Sequence, residues 1–501
     1  MRVFLAMAIA LGMTLSSVTA LAETKVKFSG FYKIFHENNV NFTRSADGNN
    51  QDSDSYFWHR LQLTIDFTPN ENLNVRWVLR APTGVRWGRV GYGRDGNRGA
   101  ERTGYPYDVF TRAIYATINS DYGKFTIGRH NGGLVGNLAG LETLGYGPKY
   151  GDYLNNHVFD WNLPFDGITY QKKWDNGFGI NVVYVKENGF DEVSSYANSE
   201  KDVDKDRFGV EPFYLWDGGG ASVNFEYSRD HSRYNSYSFT NIQNNVTYTY
   251  THPVDKNWSF SVNPAVFFTV GDFSFHFEGK AAWSETVYKR DANISPAGGQ
   301  PRRLVETKKK DVGLGLYADA VYKYGPGAIT LGAWYFDGDD LDEGNSHLPN
   351  RKKGHSLVGA GSFSPFLVAY AANGLAGPGT RANNLGDPRS ASPNKYLVGN
   401  HWALALFGDH SFTKDVKIHF GLGYFRLVNP RDTHQVNGRD VENSKELGYE
   451  FDLGVIAKLL DNVSFESHFG YFVNGDAFKD YDTGQKAKNT YAWANALIFT
   501  F

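Results

Sequence analysis

The chain of 501 residues has no cysteine and only three methionines. Without cysteine there is no disulfide framework, no thiolate metal cluster and no thiol nucleophile. No apolar run approaches the roughly 20 residues that a membrane helix needs, which excludes a bundle of transmembrane helices. Neither charge sign is in excess. The 51 Lys and Arg stand against 54 Asp and Glu, a net charge of −3, so a nucleic-acid partner is not expected. The 14 histidines show no HExxH spacing. A Gly-x-Ser-x-Gly elbow and a P-loop are equally missing, so the motifs supply no catalytic site, and no cofactor or metal is expected.

Aromatics are abundant, at 16% of the chain with 37 Phe and 31 Tyr, beside 55 Gly. The mean hydropathy is nevertheless −0.46, that of a protein in water. A wall whose strands alternate lipid-facing and water-facing residues reconciles the two, because the alternation cancels in any windowed average. Aromatic girdles at the two membrane interfaces account for the Phe, Tyr and Trp. The length would ordinarily suggest two or three soluble domains, yet no linker, tether or shift of composition divides the chain.

The first residues read as a secretory signal. Arg2 precedes a short apolar stretch from Val3 to about Leu15, and Ala20-Leu21-Ala22 is a small-x-small cleavage site. Residues 1–22 are therefore expected to be removed and residues 23–501 to form one barrel.

Alternation is clearest beside short turns. Leu61, Leu63, Ile65 and Phe67 are apolar, with Arg60, Gln62, Thr64 and Asp66 between them. After Thr68-Pro69-Asn70-Glu71 the pattern resumes as Leu73, Val75, Trp77 and Leu79, with Asn74, Arg76 and Arg80 between. A single such hairpin also suits a soluble sandwich, but this one repeats. Tight junctions at 119–123, 175–177, 217–220, 271–272, 325–327, 413–415 and 461–462 alternate with long polar stretches. Those stretches are 37–55, 82–107, 130–165, 187–206, 230–256, 287–309, 338–396, 428–445 and 474–488. Short turns at one end and long loops at the other are the layout of an outer-membrane barrel. The fold class is all-β, a transmembrane antiparallel up-and-down barrel of about 18 strands, with 16 as the alternative. Segments 236–251 and 355–370 are either further strands or folded parts of their loops. A barrel of this size leaves an aqueous channel. The last strand carries Tyr491, Trp493, Leu497, Phe499 and Phe501 at every second position, interrupted by Asn495. Such an ending resembles the signal recognised by the outer-membrane assembly machinery, with Phe501 as its terminal residue.

The stretch Val109–Ile118, followed by Asp121-Tyr122-Gly123-Lys124-Phe125-Thr126-Ile127-Gly128-Arg129, resembles the fourth and fifth strands of bacterial general porins. The motif is about twenty residues long, while the architectural likeness covers the whole chain. The length lies nearer to eighteen-stranded relatives, the carbohydrate-selective and alginate-export-like channels. The resemblance implies that loop 130–165 folds into the lumen, where its acids Glu142, Asp152 and Asp160, with Asp166 beyond them, oppose an arginine cluster. By alternation Arg60, Arg76, Arg80 and Arg112 face the lumen and supply that cluster, which Lys173 extends. The resemblance further implies a homotrimer set in outer-membrane lipid and lipopolysaccharide.

The expected function is passive diffusion of small hydrophilic solutes and ions. The alternatives are a selective channel for an oligosaccharide or anion, with loop 338–396 as its plug, or an outer-membrane scaffold, adhesin or hydrolase. The acidic run Asp337–Glu343 reads as a solvated loop rather than a calcium site, since it lacks the EF-hand spacing. Arg302-Arg303 and Lys308–Lys310 suit either a solubilising loop or a lipopolysaccharide contact. His419 and His468 read as separate polar positions on the lumen wall.

Overall fold

The computed structural model describes residues 24–40, 53–86, 109–131, 164–188, 205–230, 237–243, 246–252, 254–291, 304–337, 366, 401–429, 433–436, 439–442, 444–479, 485–486 and 488–501. Eighteen strands form one antiparallel sheet that closes on itself. They begin with β1 (Lys25–Val40), β2 (Ser53–Asn70), β3 (Leu73–Arg86), β4 (Phe110–Ser120), β5 (Gly123–Asn131) and β6 (Pro164–Lys173). The wall continues through β7 (Phe178–Asn188), β8 (Lys205–Trp216) and β9 (Gly219–Asp230). A hairpin outside the wall, β10 (Tyr237–Gln243) with β11 (Val246–His252), precedes β12 (Val254–Val270), β13 (Phe273–Asp291), β14 (Leu304–Tyr324) and β15 (Gly327–Phe336). Next come β16 (His401–Ser411) and β17 (Val416–Leu427). A second small hairpin, β18 (Thr433–Val436) with β19 (Arg439–Glu442), leads to β20 (Glu446–Leu460), β21 (Val463–Asn474) and β22 (Thr490–Thr500). Segment 236–251 is thus a folded part of its loop, and the count of eighteen stands.

Closure joins the two ends of the chain. β1 pairs β22 from Phe31↔Thr500 to Val40↔Tyr491. Beyond the last rung, Gly30 and Phe501 exchange backbone hydrogen bonds of 2.8 and 3.1 Å. Every wall strand therefore has two neighbours, and no unpaired edge is left to face lipid.

The turns are tight because their residues allow it. Gly271 and Gly325 take φ of 59° and 38°, a left-handed backbone that glycine adopts without a Cβ penalty. No neighbour crowds either position, so conformation rather than space selects glycine there.

The two faces of the wall sort as the alternation predicts. Outward positions carry Phe208, Val210, Phe225, Phe277, Leu314, Leu316, Leu404, Leu422, Phe451 and Leu453, all large, apolar and exposed. Inward positions on the same strands carry Glu211, Asn224, Glu226, Asp319, His419, Glu450 and Asp452. Apolar outside and polar inside is the inverse of a soluble domain and the arrangement of a transmembrane barrel. No helix among the described residues is long and apolar enough to cross a membrane.

Candidate functional site

Among the described residues the inner face is a continuous enclosed polar surface, and its charges are unevenly spread. On β2 and β3 the registry Asp66↔Arg76 and Gln62↔Arg80 sets partners side by side. Arg76 grips Asp66 with Nε to Oδ1 at 2.7 Å and Nη2 to Oδ2 at 3.1 Å. Arg80 donates to Gln62 Oε1 at 2.8 Å and lies within the electrostatic reach of Arg60 and Arg112. A bulge between Val78 and Leu79 shifts the register of β4. Arg112 is the extra residue of this bulge, so it comes within reach of Arg80 while its neighbour Ala113 stays packed inward. Lys33, opposite Arg60 on β1, joins the group, with Glu466 of β21 on its other side. The four arginines singled out from the sequence thus share one sector of the wall. Lys33 carries no such signal in the sequence, because its strand alternates weakly between Ser29 and His36.

Other expected members of the site fall elsewhere. Glu142, Asp152 and Asp160 lie outside the described residues, as does residues 1–22 and most of loop 130–165. Asp166 is described, and it is not a lumen acid. It stands on the outer face of β6, 3.4 Å from Arg129 Nη1, with both side chains exposed. The correction follows from registry, since Arg129↔Asp166 is flanked by Gly128↔Gly167 and by the buried, inward His130. Lys173 ends β6 beside the short turn, away from the arginines.

Acids that sequence reading did not gather line the far wall. Glu211 on β8 accepts from Asn181 at 3.4 Å, and Glu226 on β9 pairs with Arg207 at 3.2 Å. On β13 and β14, His276 lies 3.6 Å from both Glu278 and Asp319, and the Tyr317 hydroxyl donates to Asp319 at 2.7 Å. Going round the ring, β2 is the second strand and β13 the eleventh, half of the 18-strand circuit apart. Arg60 and Arg80 therefore face Glu278 and Asp319 across the lumen. Opposed charges across an aqueous channel create a transverse field that orients dipolar solutes and discriminates ions.

A third sector is aromatic. Phe366, the one described residue of 338–400, is fully buried against the inner wall. Its ring lies 5.0 Å from that of Phe407, 5.2 Å from Phe425 at 82°, and 6.4 Å from Trp334. Gly421 and Gly423 of β17 make room for it: a Cβ on Gly423 would come within 2.5 Å of the Phe366 ring. The rest of segment 355–370 lies outside the described residues.

No protein-family model matches the sequence, and no curated protein matches it either. Solved structures do. The Pseudomonas aeruginosa protein OccK5 (OpdH) is 12% identical over 95% of this chain and 98% of that one, at a TM-score of 0.46. The anion-selective porin from Comamonas acidovorans is 12% identical over 96% and 100%, at 0.40. OmpT, an outer membrane protein of Vibrio cholerae, is 10% identical over 97% and 100%, at 0.39.

Proposed function

We propose that the chain is an outer-membrane porin, a non-enzymatic, water-filled channel for passive diffusion of small hydrophilic solutes and ions. One observation carries this reading: eighteen strands close into a ring that is apolar outside and charged inside. A ring of that size is wider than its own side chains can fill, and charge on its inner face is wasted unless water and solutes pass there. Arg60, Arg76, Arg80 and Arg112 act as the basic side of the constriction. Glu142, Asp152 and Asp160 of loop 130–165 supplement the acids of the opposite wall.

The presence of Phe366 inside the barrel favours a selective variant, in which segment 338–396 narrows the channel for an anion or oligosaccharide. The assembled form is a homotrimer in a membrane of lipid and lipopolysaccharide, reached by export of a precursor whose residues 1–22 are cleaved. The barrel assembly machinery docks the final strand at Phe501.

Single-channel recording of the refolded protein in a planar bilayer, under a salt gradient and with sugars added, tests the reading. Ohmic steps are expected, in groups of three for the trimer. Block by one sugar or anion selects the selective variant, and a folded barrel with no conductance refutes both.

A further inference from the structure

The lumen holds one pair of side chains that charge and solute passage do not explain. His419 of β17 and His468 of β21 are 1% and 2% exposed, and the strand β20 runs between theirs. They meet across it, His419 Nε2 to His468 Nδ1 at 2.9 Å, with the rings tilted by 42° and centred 4.9 Å apart. The registry His419↔Gly454 and Gly454↔His468 sets all three residues in one row. A Cβ on Gly454 would lie 1.9 Å from His419 Nε2, so only glycine lets the imidazoles touch. Glycine weakens a strand interior and is found where another group must come close. Behind His468, its Nε2 faces Glu466 at 3.6 Å.

We propose that His419 and His468 form a two-imidazole site for a divalent transition-metal ion, copper(II) above nickel(II) and zinc(II). Imidazole nitrogens bind such ions at about 2.0–2.1 Å. Two ligands at that length, about 90° apart as in tetragonal copper or nickel complexes, have nitrogens about 2.9 Å apart. A tetrahedral ion needs about 3.3 Å by the same trigonometry. The observed separation already matches the first case. In the hydrogen bond one of these two nitrogens carries the proton; on binding, that proton moves to the other nitrogen of its ring or to water, and a rotation of the rings aims both lone pairs at a common point. The Irving–Williams order then places copper first.

Glu466, 3.6 Å from His468 Nε2, stands where an outer carboxylate orients a metal-bound histidine, and as the ring turns it would accept from Nε2–H so that Nδ1 points at the ion. Among the described residues no group of three or more His, Asp or Glu is arranged as a closed metal cage. The remaining coordination positions fall to water, which enters as the rings turn, since both imidazoles are buried in the absence of the ion. The charged groups around the row are Lys417, held by Asp409 at 2.9 Å, with Asp452, Glu450 and Glu466. Their net negative charge favours a cation. Both imidazoles must be neutral to bind, so affinity falls as the pH is lowered.

The test uses the full mature barrel, without an affinity tag, refolded in detergent and titrated with copper(II) alone. Calorimetry is expected to report one ion per chain, and paramagnetic resonance nitrogen splitting from two imidazoles. His419→Gln and His468→Gln each lower the affinity at least tenfold, Glu466→Gln lowers it about 10- to 100-fold, and His36→Gln on the outer face leaves it unchanged. Should the glutamine variants not fold, the native protein decides. Copper-catalysed oxidation with ascorbate and peroxide must then mark His419 and His468, and not His36, as mapped by mass spectrometry. Absence of a bound ion, or a folded double variant that binds as tightly as the parent, overturns the proposal. Neither readout depends on conductance, so failure here is distinct from failure of the channel reading.

Discussion

Phe366→Ala is the perturbation whose effect follows most directly from the geometry. The ring is fully buried and touches three aromatic side chains on the wall, while the backbone at residue 366 belongs to no strand of the ring. Truncating a buried Phe costs about 3–5 kcal/mol, and each aromatic pair contributes about 0.5–1.5 kcal/mol of that. At about 1.4 kcal/mol per factor of ten, even the lower figure weakens the anchorage roughly a hundredfold. The cost falls on the anchored segment, because the hydrogen bonds that close the barrel do not involve Phe366. Unitary conductance and the rate at which liposomes swell in small sugars should both rise, with the temperature of heat-modifiability on gels little changed. Gly423→Val attacks the same contact from the wall, by placing carbon where the ring sits, and should act in the same direction. If both variants leave conductance and swelling as in the parent, Phe366 does not narrow the channel and the argument fails.

Neutralising Arg60, Arg80 and Arg112 to Gln should move the zero-current potential in a KCl gradient toward cation selectivity, and Glu211→Gln with Glu278→Gln the opposite way. Both shifts should shrink between 0.1 and 1 M salt as the Debye length falls from about 10 to about 3 Å; an effect independent of salt would point to a change of shape. Gly448→Ala should destabilise the barrel more than Gly271→Ala. Both positions have positive φ, a strain of order 1–3 kcal/mol for alanine, but only at Gly448 does a Cβ also strike backbone, 2.0 Å from Val473 O. Equal shifts in the unfolding temperature would show that the contact relaxes freely. Asp166→Leu should weaken the oligomer on semi-native gels by leaving Arg129 without its partner, and a second change, Arg129→Leu, should restore part of it; no effect of either places the pair in lipid headgroups instead.

The ring of strands was legible because its two determinants are local. Period-two alternation marks each strand, and turn residues such as Gly271-Asp272 mark where it reverses, so neither needs knowledge of distant contacts. The same periodicity places Arg60, Arg76 and Arg80 on one face of β2 and β3. What stayed hidden depends on registry between strands far apart in sequence. His419 and His468 are 49 residues apart, and nothing local says that Gly454 will stand between them. Arg112 reaches Arg80 only because a bulge displaces β4 against β3. Asp166 looked like a loop acid until its pairing with Arg129 turned it outward. Phe366 was one aromatic among many in a long polar stretch, since its place inside the barrel is set by glycines on β17 that carry no signal of their own.

The exceptions to the sorting of the wall are as informative as the rule. An arginine facing lipid costs about 2–4 kcal/mol at the midplane and little near the headgroups, so outward polar groups should sit at strand ends. Arg229–Asp206 does, next to the end of β9, and Lys310–Glu285 lies in the far half of β13. The seam where the barrel closes does not follow suit. There Asn495 donates to His36 Nδ1 at 3.2 Å, His36 Nε2 meets Ser55 Oγ at 3.1 Å, and Trp493 donates to Ser467 at 3.0 Å. These groups face outward on four consecutive strands of the ring, β21, β22, β1 and β2, with Asn495 in the middle of its strand. Arg129, six residues on from Gly123, also stands well short of where Arg229 stands, ten residues on from Gly219. Polar groups at that depth are expensive against hydrocarbon and inexpensive against protein, which supports placing the subunit contacts of the proposed trimer on this sector.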